Sequence, residues 1–183
     1  MIYHLTLQTL GLAVGILLVL THIPGLVNPQ GVIKLARAFP RSRAAATVLL
    51  TLAAVWSFVL VGHIDLGEFS RLRNVMLLGI VLGSVLSWLY VEEFLAVRAL
   101  GILLLLAAEP LLESAVLRGE PSRLLLVVLA YAWILAGLFL VGMPYLLRDA
   151  LDGLSAHLLV WRGACLAGIL YGVALAFLAL FFW

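Results

Sequence analysis

Charge is what this sequence lacks most: only 11% of its 183 residues are Asp, Glu, Lys or Arg, against about 25% in an average soluble domain. Cysteine is reduced to Cys165, inside the last apolar segment, which excludes a disulfide framework within one chain. Lysine is reduced to Lys34, the other ten of the eleven basic side chains being Arg. The net charge of +2 is too small to point to nucleic acid. No Gly-x-Ser-x-Gly nucleophile turn and no phosphate-cradling Gly-Lys-Ser loop occurs. No catalytic residue and no metal-ligand set therefore emerges, and a protein without enzymatic chemistry is expected.

What fills the sequence instead is apolar side chain, 66% of it, with a mean hydropathy of +1.24. So short a chain cannot enclose that much apolar surface in a core of its own, and lipid is the solvent that removes the problem. A membrane β-barrel would alternate apolar and polar residues in segments of about ten. Here the runs are continuous, as from Ala99 to Ala108 and from Leu124 to Val141. The expectation is an all-α integral membrane protein, a single polytopic domain over residues 1–183 with about six transmembrane helices.

The six segments are read as Leu5–Val27, Ala44–Gly62, Asn74–Val91, Leu95–Leu117, Arg123–Leu147 and His157–Trp183. About 20 residues at 1.5 Å each cross the hydrocarbon, so the third is short and the fifth long. The first is preceded by Met1-Ile2-Tyr3-His4, without Lys or Arg, and is read as a retained helix rather than a signal peptide. Lys34, Arg37, Arg41, Arg43, Arg98, Arg148 and Arg162 fall at one end of the bundle, and Arg71, Arg73, Arg118 and Arg123 at the other. By the excess of positive charge in cytoplasmic loops, the first end is cytoplasmic and both termini face outward. The preference for Arg over Lys, with abundant Ala, Leu and Gly, points to a GC-rich bacterial genome and so to a bacterial cytoplasmic (inner) membrane.

The second, fourth and sixth helices each open with Arg and a small residue: Arg43-Ala44, Arg98-Ala99 and Arg162-Gly163. That pattern reads as three helical hairpins in series, or as the positive-inside rule acting three times. Two connections are amphipathic. In Val32 to Phe39, apolar residues could lie in the interface while Lys34 and Arg37 meet anionic head groups. Leu147, Leu151, Leu154 and Leu158 recur at spacings of three and four, with Asp149, Asp152 and Ser155 on the other face.

Glycine pairs one turn apart, Gly11 with Gly15, Gly79 with Gly83 and Gly168 with Gly172, mark close helix–helix seams within the chain or between subunits. The expected partners are thus the lipid bilayer and other membrane subunits or further copies of the chain.

Charge inside lipid costs roughly 2.5–3.5 kcal/mol per residue on insertion scales. Arg98, Glu109 and Glu113 share one direction of the fourth helix, so they are the candidate intramembrane polar face, Glu109 as a proton or cation site. The plainer alternative places both glutamates at the outer interface. Among the histidines, His22 and His157 fall toward one end and His4 and His63 toward the other, and facing imidazoles at one depth could bind haem. The loop His63-Ile64-Asp65-Leu66-Gly67-Glu68 has no second His or Cys at ligand spacing. Glu92-Glu93 with Arg98 is not the paired-glutamate motif of intramembrane CAAX-type proteases, because the separation is one residue too long and no Phe-x-x-x-His follows. Trp161 and Trp183, near segment ends, read as interfacial anchors, while Trp56 and Trp133 read as packing.

Three functional classes follow: a non-enzymatic subunit or scaffold of a membrane complex; a small-solute transporter or substrate-binding transport component; and a haem-binding electron-transfer membrane protein. The second is similar to the substrate-binding components of vitamin importers in size alone, with no shared motif.

Overall fold

The computed structural model describes residues 5–91, 93–116 and 118–183. Eight α-helices follow in order: α1 (Leu7–Val27), α2 (Pro29–Ala38), α3 (Arg43–His63), α4 (Arg73–Tyr90), α5 (Leu95–Ala115), α6 (Arg123–Gly142), α7 (Tyr145–Ala156) and α8 (Leu158–Phe181). Six of them, α1, α3, α4, α5, α6 and α8, are long and apolar enough to cross a membrane. No strand occurs among the described residues. The expected all-α membrane fold is therefore present.

Local chemistry sets the boundaries. Thr6 caps α1, its hydroxyl accepting from the Thr9 N–H at 3.2 Å. Asn28 caps α2, its side chain accepting from the Gly31 N–H at 3.1 Å, and Pro29 opens the helix where no N–H is needed. Ser42 caps α3 through the Ala45 N–H at 3.2 Å. Arg123 satisfies a carbonyl left over at the end of α5, donating to Ala115 O at 2.6 Å.

Two expected segments change shape. The fifth does not run to Leu147. Pro144 bars its predecessor from helical geometry, Met143 adopts φ −131° and ψ 67°, and α6 stops at Gly142. Tyr145 to Leu147 belong instead to α7, the amphipathic helix that the leucine spacing announced. The third segment is not short, because a 3-10 turn over Gly67–Leu72 runs into α4 and lengthens the span to Gly67–Tyr90, 24 residues.

The helices do not pack as serial hairpins. The first span packs on the last, α1 on α8; α5 packs on α6 and on α3; and α3 also carries α4. The pairing is thus second with third, fourth with fifth, and sixth back onto first. Two features produce the shift. The first–second and fifth–sixth connections contain α2 and α7, which hold those spans apart at that end. At the α4–α5 connection, α3 packs against both helices and keeps them from pairing.

The closest approaches are made by glycine. A Cβ on Gly15 would stand 2.6 Å from Gly172 O, and one on Gly172 2.7 Å from Gly15 O, so α1 and α8 touch backbone to backbone. Gly101 of α5 and Gly137 of α6 do the same, at 2.9 Å and 2.8 Å from each other's carbonyl oxygens. Between these seams lies a core of Leu7, Val14, Ala108, Leu111, Leu126 and Leu175. Packing of this kind, rather than water exclusion, drives helix association in lipid. Nothing on α4 is buried.

Candidate functional site

Successive spans run in opposite directions, which puts the ends of α1, α4 and α6 and the starts of α3, α5 and α8 at one end of the bundle. The two amphipathic helices lie there and touch one another. Arg37 of α2 places Nε 3.1 Å from Asp152 Oδ1 of α7 and donates through Nη2 to Ser155 Oγ at 2.8 Å. Arg37 therefore turns toward α7 and not, as its place on the amphipathic segment suggested, only toward head groups. Both side chains are half exposed, so the pair contributes about 0–1 kcal/mol. Asp152→Asn should lower the unfolding free energy in detergent only slightly, by under about 1 kcal/mol. A loss several times larger would mean that the α2–α7 clasp holds the bundle.

Above this clasp two adjoining cavities, of about 180 Å³ and 420 Å³, share a wall made of Arg41, Phe94 and Arg148. The smaller adds Arg37 and Asp152, and the larger adds Arg43 and Glu93. Four arginines and two acidic residues thus line the two adjoining cavities between them. Arg148 is held by its neighbour Asp149, with Nε and Nη2 at 3.0 and 2.9 Å from Oδ1. That pair is half exposed on both sides, hence weak and easily exchanged for another anion. Arg41 makes no ion pair among the described residues.

Phe94 shapes the wall through an unusual backbone. It is the only non-glycine described residue with positive φ, at φ 57° and ψ 21°. A side chain in the left-handed region costs roughly 1–2 kcal/mol. Leu95, Ala96 and Val97, all buried directly after it, fix the start of α5. The Phe94 carbonyl accepts from the Val97 and Arg98 N–H groups at 3.0 and 3.1 Å. Residues held in this way concentrate where a fold shapes a ligand clamp.

The residues singled out in the sequence are not gathered here. Arg98 is exposed near the start of α5 and lines neither arginine cavity. Glu109 and Glu113 are half buried toward the opposite end of that helix. Eleven residues, about 16 Å of helix, separate Arg98 from Glu109, so the three share a direction but form no cluster.

The histidines do not pair either. His22 packs its ring on Gly168 of α8 and sets Nδ1 2.8 Å from Leu18 O. His157 is exposed at the start of α8, eleven residues and about 16 Å before the turn that His22 meets. Two facing imidazoles at one depth are therefore not formed by His22 and His157. His63 is exposed at the end of α3 with Nδ1 2.8 Å from Val59 O, and its expected counterpart His4 lies outside the described residues. Among the described residues no three His, Cys, Asp or Glu side chains converge as metal ligands. Glu92, of the rejected protease-like pair, is likewise outside the described residues.

The site residues that sequence reasoning missed are Arg41, Phe94 and Arg148. Arg41 and Arg148 counted only toward orientation, and nothing local announces that the loop before α3 meets the first turn of α7.

The spans and their arginine-rich end define a multi-pass α-helical membrane protein. Compared with known protein families, with curated proteins and with solved structures, the chain matches none.

Proposed function

We propose that the chain is a non-enzymatic subunit or scaffold of a membrane complex, joined to its neighbours through α4. The observation that carries this reading is the state of the three glycine pairs. Gly11 and Gly15 are covered by Trp183, Ala179 and Ala176, and Gly168 and Gly172 by His22, Leu18 and Val19. Among the described residues, Gly79 and Gly83 have nothing within 4 Å of where a side chain would begin. Two pairs are consumed in closing α1 on α8, and the third lies open on a helix whose main support is α3 alone. An open small-residue face is what a further helix needs to approach closely. In this reading the arginine-rich end lies in the cytoplasm of a bacterium and both termini lie outside.

The test is a gentle detergent purification of wild type and of Gly79→Ile/Gly83→Ile, with mass and stoichiometry read by light scattering and mass spectrometry. Wild type should run as an oligomer or with stoichiometric partners. The double variant should run alone, with its unfolding midpoint unchanged because no described residue lies within 4 Å of where a side chain would begin at those positions. A solitary wild-type chain, or a variant that assembles as well as wild type, would overturn the reading.

A second reading, solute transport, draws support from Glu109, a half-buried carboxylate six residues inside the end of α5. For a scaffold, Glu109→Gln should leave assembly intact and shift stability by less than about 1 kcal/mol. Loss of proton- or cation-coupled uptake in proteoliposomes, with assembly intact, would favour transport.

A further inference from the structure

We propose that the arginine-walled cavity between the loop before α3, the start of α5 and α7 is a binding site for the phosphate of an anionic phospholipid head group. This inference does not rest on the assembly reading, since the cavity is lined by none of the α4 glycines on which that reading stands.

The charge is right in sign and in kind. Arg37, Arg41, Arg43 and Arg148 line the two adjoining cavities, and the described carboxylates set against them are Asp152, Glu93 and the Asp149 paired with Arg148, which leaves an excess of one positive charge among these residues. Arginine presents a planar fork that grips two phosphate oxygens at once, and is more weakly hydrated than an ammonium group. Arg37 is engaged by Asp152 and Ser155 and serves as the fixed back of the site. Arg41 is unengaged among the described residues, and Arg148 is tied only to the exposed Asp149 beside it. Those two, one before α3 and one in the first turn of α7, are the side chains best able to turn onto a phosphate.

The place is right as well. Arg43 is the first residue of the α3 span and Leu95 the first of α5. Arg41 and Phe94 thus stand one or two residues outside the hydrocarbon, at the level of lipid phosphates. The smaller cavity is floored by Pro40, Phe94 and Leu151. A soluble phosphate would find no use for this apolar floor, whereas the glycerol and upper acyl carbons of a lipid would lie along it. Phe94, the residue with the left-handed backbone, lines both cavities. An anionic lipid is attracted by about 1 kcal/mol per basic residue near the surface.

The probes are phosphatidylglycerol, phosphatidylcholine and inorganic phosphate, each titrated into the purified full chain, with bound lipid counted by native mass spectrometry and stabilisation read by thermal unfolding. Wild type should retain phosphatidylglycerol in preference to phosphatidylcholine and ignore millimolar inorganic phosphate. Arg41→Gln/Arg148→Gln should bind phosphatidylglycerol roughly ten- to thirtyfold more weakly. Arg41→Lys, which keeps the charge but not the fork, should fall between. Arg98→Gln, outside the cavity, should bind as wild type. Circular dichroism and the unfolding midpoint without lipid establish that each variant is folded; should the double variant fail to fold, Arg41→Lys and Arg41→Gln alone decide by their order of affinity. Equal binding of the two lipids, undiminished binding by folded Arg41 variants, or equal stabilisation by inorganic phosphate would each overturn the proposal, the last by pointing to a soluble anion instead.

Discussion

Gly172→Leu should part the first and last spans and lower the stability of the bundle by about 3 kcal/mol, at the upper end of what overpacking costs. The argument is geometric. A Cβ at 172 would lie 2.7 Å from Gly15 O and 3.0 Å from Leu18 Cβ and Val19 Cγ2. The nearest of these is backbone of a helix that cannot yield without bending, so α1 must move away as a unit. Gly15→Leu meets Gly172 O and the Ala176 backbone from the other side and should cost a similar amount. Moving two helices apart forfeits the van der Waals contacts along the whole seam, and these are what hold helices together in lipid. Denaturation of the detergent-solubilised protein by increasing SDS, followed by circular dichroism or tryptophan fluorescence, measures the loss.

Gly101 and Gly137 make the matching prediction for α5 and α6, since each would drive a side chain into the other's carbonyl. Gly79→Ala is the control. With open space around it, the substitution should change stability by no more than about 0.5 kcal/mol. A Gly79→Ala loss as large as that of Gly172→Leu would mean that α4 packs elsewhere than on α3.

How far the fold could be read in advance follows from which forces act locally. The six spans were legible because lipid imposes about 20 apolar residues on each crossing, whatever its neighbours do. The two interfacial helices were legible because leucine spacing and the Asn28-Pro29 cap are written within one turn or two of chain. The end of α6 was misplaced although Pro144 announces it, because apolar character continues past the break into Tyr145 to Leu147. Packing order was not legible. Gly11, Gly15, Gly168 and Gly172 could be named as seam residues, yet nothing in their spacing says that the first span meets the last. Gly101 and Gly137 form no Gly-x-x-x-Gly pair and went unnoticed, because each finds its counterpart only in space. The arginine cavity was hidden for the same reason: a charge near a helix end satisfies the orientation rule by itself, and its second role depends on a meeting between halves of the chain. Glu109 and Glu113 share a face at helical spacing, and α5 holds them both half buried, while Arg98 shares their direction from the other end of the helix.

Trp161 looked like an interfacial anchor because it sits four residues into the last segment, and the structure gives it a different task. It is 8% exposed, wedged between α1 and α8, with Nε1 donating to Gly25 O at 3.2 Å. That carbonyl needs an outside donor. In an unbroken helix it would accept from the N–H of the residue four positions on, but that residue is Pro29, which has none. The indole therefore closes a gap that the start of α2 opens in α1, and Gly25 lets it approach, since a Cβ there would strike Cys165 Sγ and come within 3.5 Å of Trp161 Nε1. Trp161→Phe keeps an aromatic ring but removes the N–H donor, leaving a buried carbonyl unpaired, and should cost about 1–3 kcal/mol. Trp161→Ala removes the wedge too, and the cavity should raise the loss to about 3–5 kcal/mol. An anchor role predicts the reverse pattern: Phe, which lacks the polar tip that an anchor uses at the water boundary, would then perturb placement in the bilayer while leaving the unfolding free energy nearly untouched. Unfolding in SDS, set beside the depth of residue 158 reported by a spin label there in nanodiscs, separates the two. A stability loss with unchanged depth is the expected result, because the hydrogen bond is buried between α8 and α1.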